Sequence, residues 1–293
     1  MATYPTYTLA GVPLQDGRGR WHEDPSMSAF PLHPGLRSTE IELAGVDGVL
    51  LPPMAPLQPS TLSLPIVFNA TDGSRWGQTR SERLTMLAQN MNTLMGELNV
   101  GAMTQGGMVD VELHKSYSDV RRATARLVAS TEAEYAPGAD HATLTVVLTN
   151  PTGKWTGATR TASLRLDGTQ MVTAAAGCTA QIDRCYVTLV GPMTSATITN
   201  SMGNGFHLST AIPAGRQITV DCRRWLVSSL RDYTGVPVFA STSRMSPDLQ
   251  LVGSTSSLAL TMHPRPAGAT LNVATTGTSV GSQLHIQFQE AYL

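Results

Sequence analysis

Short alternating segments place the strongest constraint on how this chain folds. In "MVDVELH", residues 108–114, Val109, Val111 and Leu113 alternate with polar residues. A period of two is typical of a β-strand with one buried face. Other apolar runs, such as "SLPIVF", "ATLTVVLTN" and "CYVTLVGP", are bounded by Gly, Pro, Asn or Asp. The sequence therefore predicts a mainly β fold.

The composition supports strands and argues against several functions. Charged residues make up only 14%, and 20 Lys and Arg balance 21 Asp and Glu, so we expect no specific nucleic-acid binding and no anionic-membrane surface. No apolar run approaches the roughly 20 residues that span a bilayer, and the start shows no secretory signal. Three cysteines are too few for a disulfide scaffold. These features predict a soluble protein made in a reducing cytoplasm.

One segment, "SERLTMLAQNMNTLMGELN", has its Leu and Met residues at helical spacing. We predict a helix from Ser81 to Leu98, with Ser81 as its N-cap and with Asn99 and Gly101 at its end. The apolar stripe is expected to pack on the sheet of its own domain. Docking of a partner helix is the alternative.

Two further segments bear on the domain organisation. Residues 119–138, "DVRRATARLVASTEAEYAPG", fit a helix or a strand, and their β-rich surroundings favour a long strand. The composition changes at "TNPTGKWTGATR", residues 149–160, beyond which charge falls. We therefore predict a boundary near 153–156, with one β-rich domain at residues 1–153 and a second at residues 154–293.

The stretch "ITVDCRRW" places a thiol beside two arginines, which is the pattern of an activated nucleophile. However, Cys222 shares its side of the strand with Ile218 and Val220, as a buried cysteine would. The alternation changes phase at Arg223 and Arg224, as it does at a corner or bulge. We predict that Cys222 lies in the core and that both arginines are solvated.

Other motifs also favour structural interpretations. "GTSVG", residues 277–281, matches the nucleophile elbow, but a strand-like segment follows it where the elbow requires a helix. Cys178 and Cys185 do not have zinc-ligand spacing, and a cross-hairpin contact is expected. Asp110 and Glu112 are expected on a solvated strand face. We therefore predict no catalytic, cofactor-binding or metal-binding residues, and no enzyme.

The order of features resembles the distal tail proteins, or minor tail proteins, of long-tailed (siphovirus-like) bacteriophages. The resemblance rests on the hairpin "TLAGVPLQDGRGRW", the Pro-rich "LLPPMAPLQP", the "SLPIVF" strand, the lone helix and "ATLTVVLTNPTGKW". In the second half, "CYVTLVGPMTSATITNSMGNGFHLSTAIPAGRQITVDCRRWLV" is similar to the β-sandwich of that family. Val252-Gly253-Ser254 replaces the usual Pro-Gly-Asn turn, and Met245 the aromatic before it.

The resemblance implies an N-terminal ring-forming domain and a C-terminal galectin-like β-sandwich that faces outward. It implies a hexameric ring in the tail tip of the virion, between the tail tube and the baseplate hub, where receptor-binding proteins dock and DNA passes through the lumen. Strand edges and extended arms can form such a repeated interface. The predicted interface residues are Asp16, Arg18, Arg20, Trp21, Pro52, Pro53, Met54, Pro56 and Pro59.

Two hypotheses from other classes stand beside this one. A carbohydrate-binding module or adhesin would use Trp155 or Trp225 as a stacking surface. A serine hydrolase would use Ser279 as its nucleophile.

Overall fold

The computed structural model describes residues 6–24, 41–42, 49–50, 57–116, 118–235, 246–253 and 260–293. The chain divides into two compact units, Met1–Trp155 with Leu293 and Thr156–Tyr292, which we call unit 1 and unit 2. The prediction of two β-rich regions with one helix is confirmed. No helix within the described ranges is both long enough and apolar enough to cross a bilayer.

Unit 1 is an antiparallel sheet covered by one helix. Its elements are β1 (Thr6–Leu9), β2 (Val12–Pro13), β3 (Trp21–Glu23), β4 (Ile41–Glu42), β5 (Val49–Leu50), β6 (Ser60–Asn69), α1 (Arg80–Thr104), β7 (Met108–His114), β8 (Val120–Ser130), β9 (Glu134–Tyr135) and β10 (His141–Asn150). The strand path is β3-β6-β10-β8-β7-β1-β2. β9 pairs with β10, and β4 pairs with β5.

The core of unit 1 lies between this sheet and α1, which packs on β6 and β7. Leu64, Ile66 and Phe68 of β6 are fully buried, as are Leu87 and Leu94 of the helix. The alternation predicted for β7 is confirmed, because Val109, Val111 and Leu113 are buried while the residues that alternate with them lie on the other face. The long strand predicted after it is also confirmed, as β8.

The predicted bounds of α1 were wrong at both ends. The N-cap is Thr79, not Ser81: the Thr79 side chain accepts from the Glu82 N–H, and the Glu82 side chain accepts from the Thr79 N–H, which forms a capping box. The helix also continues through Gly101 to Thr104. A Cβ at Gly101 would lie 2.8 Å from the Ala10 Cβ, so this glycine serves close packing and does not end the helix.

Unit 2 is a sandwich of two antiparallel sheets. Its strands are β11 (Trp155–Leu164), β12 (Asp167–Val172), β13 (Cys185–Val190), β14 (Ser195–Asn200), β15 (Gly205–Leu208), β16 (Arg216–Asp221), β17 (Leu226–Val227), β18 (Arg231–Asp232), β19 (Leu249–Val252), β20 (Pro264–Arg265), β21 (Gly268–Thr276) and β22 (Gln283–Tyr292). One sheet runs β17-β16-β13-β22-β11, with β18 also on β16, and the other runs β12-β21-β14-β15-β19, with β20 on β21.

Alternating residues of the two sheets form the core of unit 2. Val187 and Ile286 from the first sheet and Ile198 and Leu271 from the second are all fully buried. The second sheet ends in the turn at Gly253, where φ is +96° and a Cβ would lie 2.6 Å from the Gly203 carbonyl oxygen. The requirement for glycine at this turn therefore has a steric cause. Met245 and Ser254 lie outside the described residues.

Candidate assembly interface

The thiol beside the two arginines is a core residue, as predicted. Cys222 is fully buried, its Sγ lies 3.9 Å from the Val220 carbonyl oxygen, and burial raises its pKa well above the usual value. Arg223 and Arg224 are exposed, so their guanidinium groups do not share the environment of the thiol. The arrangement stabilises the neutral thiol and does not activate it.

The "GTSVG" motif lies in an exposed turn between β21 and β22. The Ser279 N–H donates to the Ser282 hydroxyl at 3.0 Å, and the Val280 side chain is fully exposed. A nucleophile elbow joins a strand to a helix, whereas this turn joins two strands. The match is therefore a turn sequence, and the hydrolase hypothesis loses its structural context.

The remaining polar candidates have structural partners. The Glu112 carboxylate accepts from Arg122 Nε at 2.7 Å across the β7–β8 pair, and Asp110 Oδ1 accepts from the Thr124 hydroxyl at 3.3 Å. Cys178 and Cys185 are both buried. In the part of the chain that the structure describes, no three His, Cys, Asp or Glu side chains are grouped as metal ligands would be.

In the first predicted interface segment, residues 16–21, most of the side chains contact other residues of unit 1. Arg20 donates to both Asp16 carboxylate oxygens, at 3.0 and 3.1 Å, and its guanidinium lies 4.3 Å from the Trp21 ring centroid. Burial acts to raise the pKa of Asp16, but the hydrogen bonds from Arg20 outweigh it and the pKa is lowered. Trp21 is only 3% exposed, and its Nε1 donates to the Pro13 carbonyl. Arg18 is exposed.

The second predicted segment lies mostly outside the described residues. Pro52, Pro53, Met54 and Pro56 lie outside the described residues. Pro59 is exposed and directly precedes β6. The structure therefore brings Asp16, Arg20 and Trp21 together, and it locates Arg18 and Pro59 on the surface.

Sequence reasoning missed the exposed side of α1, which we call the helix outer face. Glu97 is the only charged residue from Leu84 to Thr104. The exposed positions of this stretch are Leu84, Thr85, Ala88, Gln89, Asn92, Thr93, Gly96, Glu97, Asn99, Val100, Met103 and Thr104. Met103 is 84% exposed and Val100 is 59% exposed. Solvent-facing helix surfaces normally carry many charges, so this one is unusual.

On the outward face of the unit 1 sheet, two neighbouring strands carry mainly uncharged side chains, although Arg126 and Glu134 lie beside them. Thr61, Ser63 and Val67 of β6, and the threonines and valine at 143, 145, 147 and 149 of β10, alternate with buried residues. They lie on the face opposite the buried leucines, and they are exposed or half-buried. Removing uncharged side chains of this kind from water costs much less than removing charged ones. Of the two, the helix outer face carries less charge and is therefore better suited to burial in an assembly.

Of the two tryptophans predicted as a stacking surface for a carbohydrate-binding module, one is buried. Trp155 is 3% exposed and packs against Tyr7, with ring centroids 6.5 Å apart, so it cannot stack on a sugar. Trp225 is half-buried in a turn, with φ of +59°. The prediction for Trp155 was wrong, because the sequence of this ten-residue strand does not show that its first residue is buried while later ones are exposed.

Comparison with solved structures shows a likeness over the whole chain. The Dit protein (gp 19.1) of SPP1, described as a paradigm of the hub adsorption apparatus in phages that infect Gram-positive bacteria, is 15% identical with a TM-score of 0.56, and 99% of this chain and 100% of that chain are covered. This likeness confirms, at the level of the fold, the resemblance to distal tail proteins.

Two structures of the phage P2 baseplate in its activated conformation, with Ca and with Sr, also match. They are 11% identical, with TM-scores of 0.36 and 0.35; the first covers 98% of both chains, and the second covers 97% of this chain and 98% of that chain. No protein-family model and no curated protein matches the sequence.

Proposed function

We propose that the protein is a structural component of a phage tail tip, in which unit 1 assembles into a hexameric ring that joins the tail tube to the baseplate hub. The ring would serve as a docking platform for receptor-binding proteins and would let DNA pass without binding it specifically. The observation that carries this proposal is the likeness to SPP1 Dit, which extends over 99% of the chain and both units. The role is structural, without enzymatic activity or a cofactor.

The surface of unit 1 supports assembly. A ring of identical subunits repeats one heterologous contact until it closes. The helix outer face is suited to such a contact, because from Leu84 to Thr104 it would bury only one charge per copy, Glu97. The near balance of 20 basic and 21 acidic residues also limits repulsion among copies.

The mass of the purified protein tests the ring. Six copies of the 31.2 kDa chain give about 187 kDa, which mass photometry and negative-stain electron microscopy distinguish from a monomer. We expect sixfold rings, either alone or on addition of tail-tube protein from the same phage. A protein that stays monomeric at all concentrations, and that binds neither tail-tube nor hub protein, would refute the proposed function.

Charge placed on the helix outer face tests which surface closes the ring. Ala88→Glu adds a carboxylate at an exposed helical position, and we expect the sixfold species to be lost while the monomer remains folded. Ala176→Glu is the matched control, because Ala176 is an exposed alanine in unit 2. Rings formed equally well by both variants would show that another surface makes the contact, and the proposed function itself would stand.

A further inference from the structure

A polar pocket of about 260 Å³ lies at one corner of the unit 2 sandwich. It is lined by Arg184, Tyr186, Asp221, Arg223 and Arg224. Tyr186 of β13 pairs directly with Asp221 at the end of β16, and the two neighbouring arginines follow in the next turn. Three guanidinium groups and one carboxylate therefore converge at this corner, with a net charge of +2.

Asp221 gives the pocket a buried acceptor. The residue is 2% exposed, and its Oδ1 accepts from the backbone N–H groups of Arg223 and Arg224, at 3.0 Å each. Among the described residues, both of the hydrogen bonds to the Asp221 carboxylate end on Oδ1, so Oδ2 can accept from a bound molecule. A structural turn cap needs only one of the two oxygens.

The arginines supply the opposite chemistry. Arg223 and Arg224 are exposed, and Arg184 is held by a hydrogen bond from its Nη1 to Gln289 Oε1 at 2.7 Å. Guanidinium groups bind phosphate and carboxylate oxygens through paired, charge-assisted hydrogen bonds. An anionic group in the pocket would therefore meet several donors, at least one of them already held in place.

We propose that this pocket binds a small anion that also carries hydroxyl groups, of the sugar-phosphate type. The anionic group contacts the arginines, and a neighbouring hydroxyl donates to Asp221 Oδ2. A bare anion, or the carboxylate of an acidic side chain, would face the Asp221 carboxylate without a proton to share with it. The proposal adds a ligand site to unit 2 and does not depend on the ring formed by unit 1.

Isothermal titration calorimetry on the full-length protein tests the site with four probes: glucose 6-phosphate, sulfate, glucose and N-acetylglutamate. We expect glucose 6-phosphate to bind with a Kd of about 1 mM or lower, and each other probe to bind about tenfold or more weakly. Arg223→Gln combined with Arg224→Gln should weaken glucose 6-phosphate binding by about tenfold or more. The matched control, Arg165→Gln with Arg265→Gln, removes two exposed arginines of unit 2 that lie outside the pocket.

Asp221→Asn separates a ligand role from the structural turn cap. The amide Oδ1 can still accept both backbone N–H groups, while Nδ2 replaces an acceptor with a donor. We expect the preference for glucose 6-phosphate over sulfate to fall by about tenfold, with the melting temperature unchanged. The proposal is overturned by absent glucose 6-phosphate binding, by equal binding to the double arginine variant, by an unchanged preference in Asp221→Asn, or by equal or tighter binding of sulfate or N-acetylglutamate.

Discussion

The start of α1 allows two hydroxyl residues, two positions apart, to be tested against each other. Thr79 accepts from the Glu82 N–H at 3.2 Å, and the Glu82 Oε2 accepts from the N–H groups of Thr79 and Gln78 at 3.1 and 2.9 Å. The Ser81 hydroxyl has no hydrogen-bond partner among the described residues, although its sequence position also suits a cap. The structure therefore predicts a loss of stability for Thr79→Ala and none for Ser81→Ala.

The expected loss of stability follows from the one hydrogen bond that Thr79→Ala removes. Replacing an N-cap threonine with alanine costs about 1 kcal/mol of unfolding free energy. With a urea m-value of about 2 kcal/mol per M, the midpoint of unfolding should fall by about 0.5 M. Ser81→Ala should leave the midpoint unchanged or raise it slightly, because alanine has the higher helix propensity.

Tryptophan fluorescence can follow unit 1 separately from unit 2. Of the four tryptophans, Trp21, Trp76 and Trp155 lie in unit 1, so a Trp225→Phe background reports on unit 1 alone. Urea titrations of both alanine variants in that background measure the two midpoints. Equal shifts for both variants, or a shift for Ser81→Ala only, would refute the assignment of Thr79 as the cap.

The pH dependence provides a second test of the same cap. Hydrogen bonds from the backbone N–H groups of Thr79 and then Gln78 lower the pKa of Glu82. A carboxyl group whose pKa is lower in the folded state stabilises that state above its unfolded pKa of about 4.3, and this contribution is lost as the pH falls through the folded value. Glu82→Gln should therefore be less stable than the wild type at pH 7, with the difference shrinking toward pH 3. A constant difference would contradict the linkage.

Two further predictions concern the core of unit 2. A Cβ at Gly205 would lie 1.9 Å from the Ile198 carbonyl oxygen, so Gly205→Ala should lower the free energy of unfolding in urea by about 3 kcal/mol. Gly17→Ala is the control, because a Cβ there would meet open space and should change stability by less than about 0.5 kcal/mol. Similar unfolding midpoints for the two variants would contradict the clash. Cys185 and Cys222 are fully buried, and burial raises the pKa of both thiols. A thiol reagent should therefore label them at least about a hundredfold more slowly in the native protein than in denaturant. Comparable labelling rates would show that the core opens readily.

The helix shows how local signals can be present and still be misjudged. "TRSE", residues 79–82, is a capping-box sequence, so the true N-cap was readable from Thr79 and Glu82. The end of the helix was not readable, because Gly101 looks like a stop and instead accommodates the Ala10 Cβ from the turn that follows β1. Close approach of segments that are distant in sequence leaves no periodic trace in either one.

The surfaces of unit 1 could be predicted less well than its strands. Alternation identified the buried side of β7, since each strand position reports on its own face. Trp21, by contrast, lies in a strand of only three residues, too short to show which side is buried. The Met and Leu stripe of α1, which is mostly buried, gives a strong periodic signal, whereas the helix outer face is marked only by the scarcity of charge on the opposite side.

The corner at Asp221 explains why a thiol between charged residues is inert. Because the Asp221 carboxylate accepts from the Arg223 and Arg224 N–H groups, the chain turns away from the strand directly after Cys222. Trp225 completes the reversal with its positive φ of +59°, so the thiol stays in the core while the guanidinium groups reach solvent. Residues adjacent in sequence are thus separated into two environments. Cationic neighbours lower a thiol's pKa only when they share its surroundings, so the charge at this corner remains available for binding an anion and not for activating the sulfur.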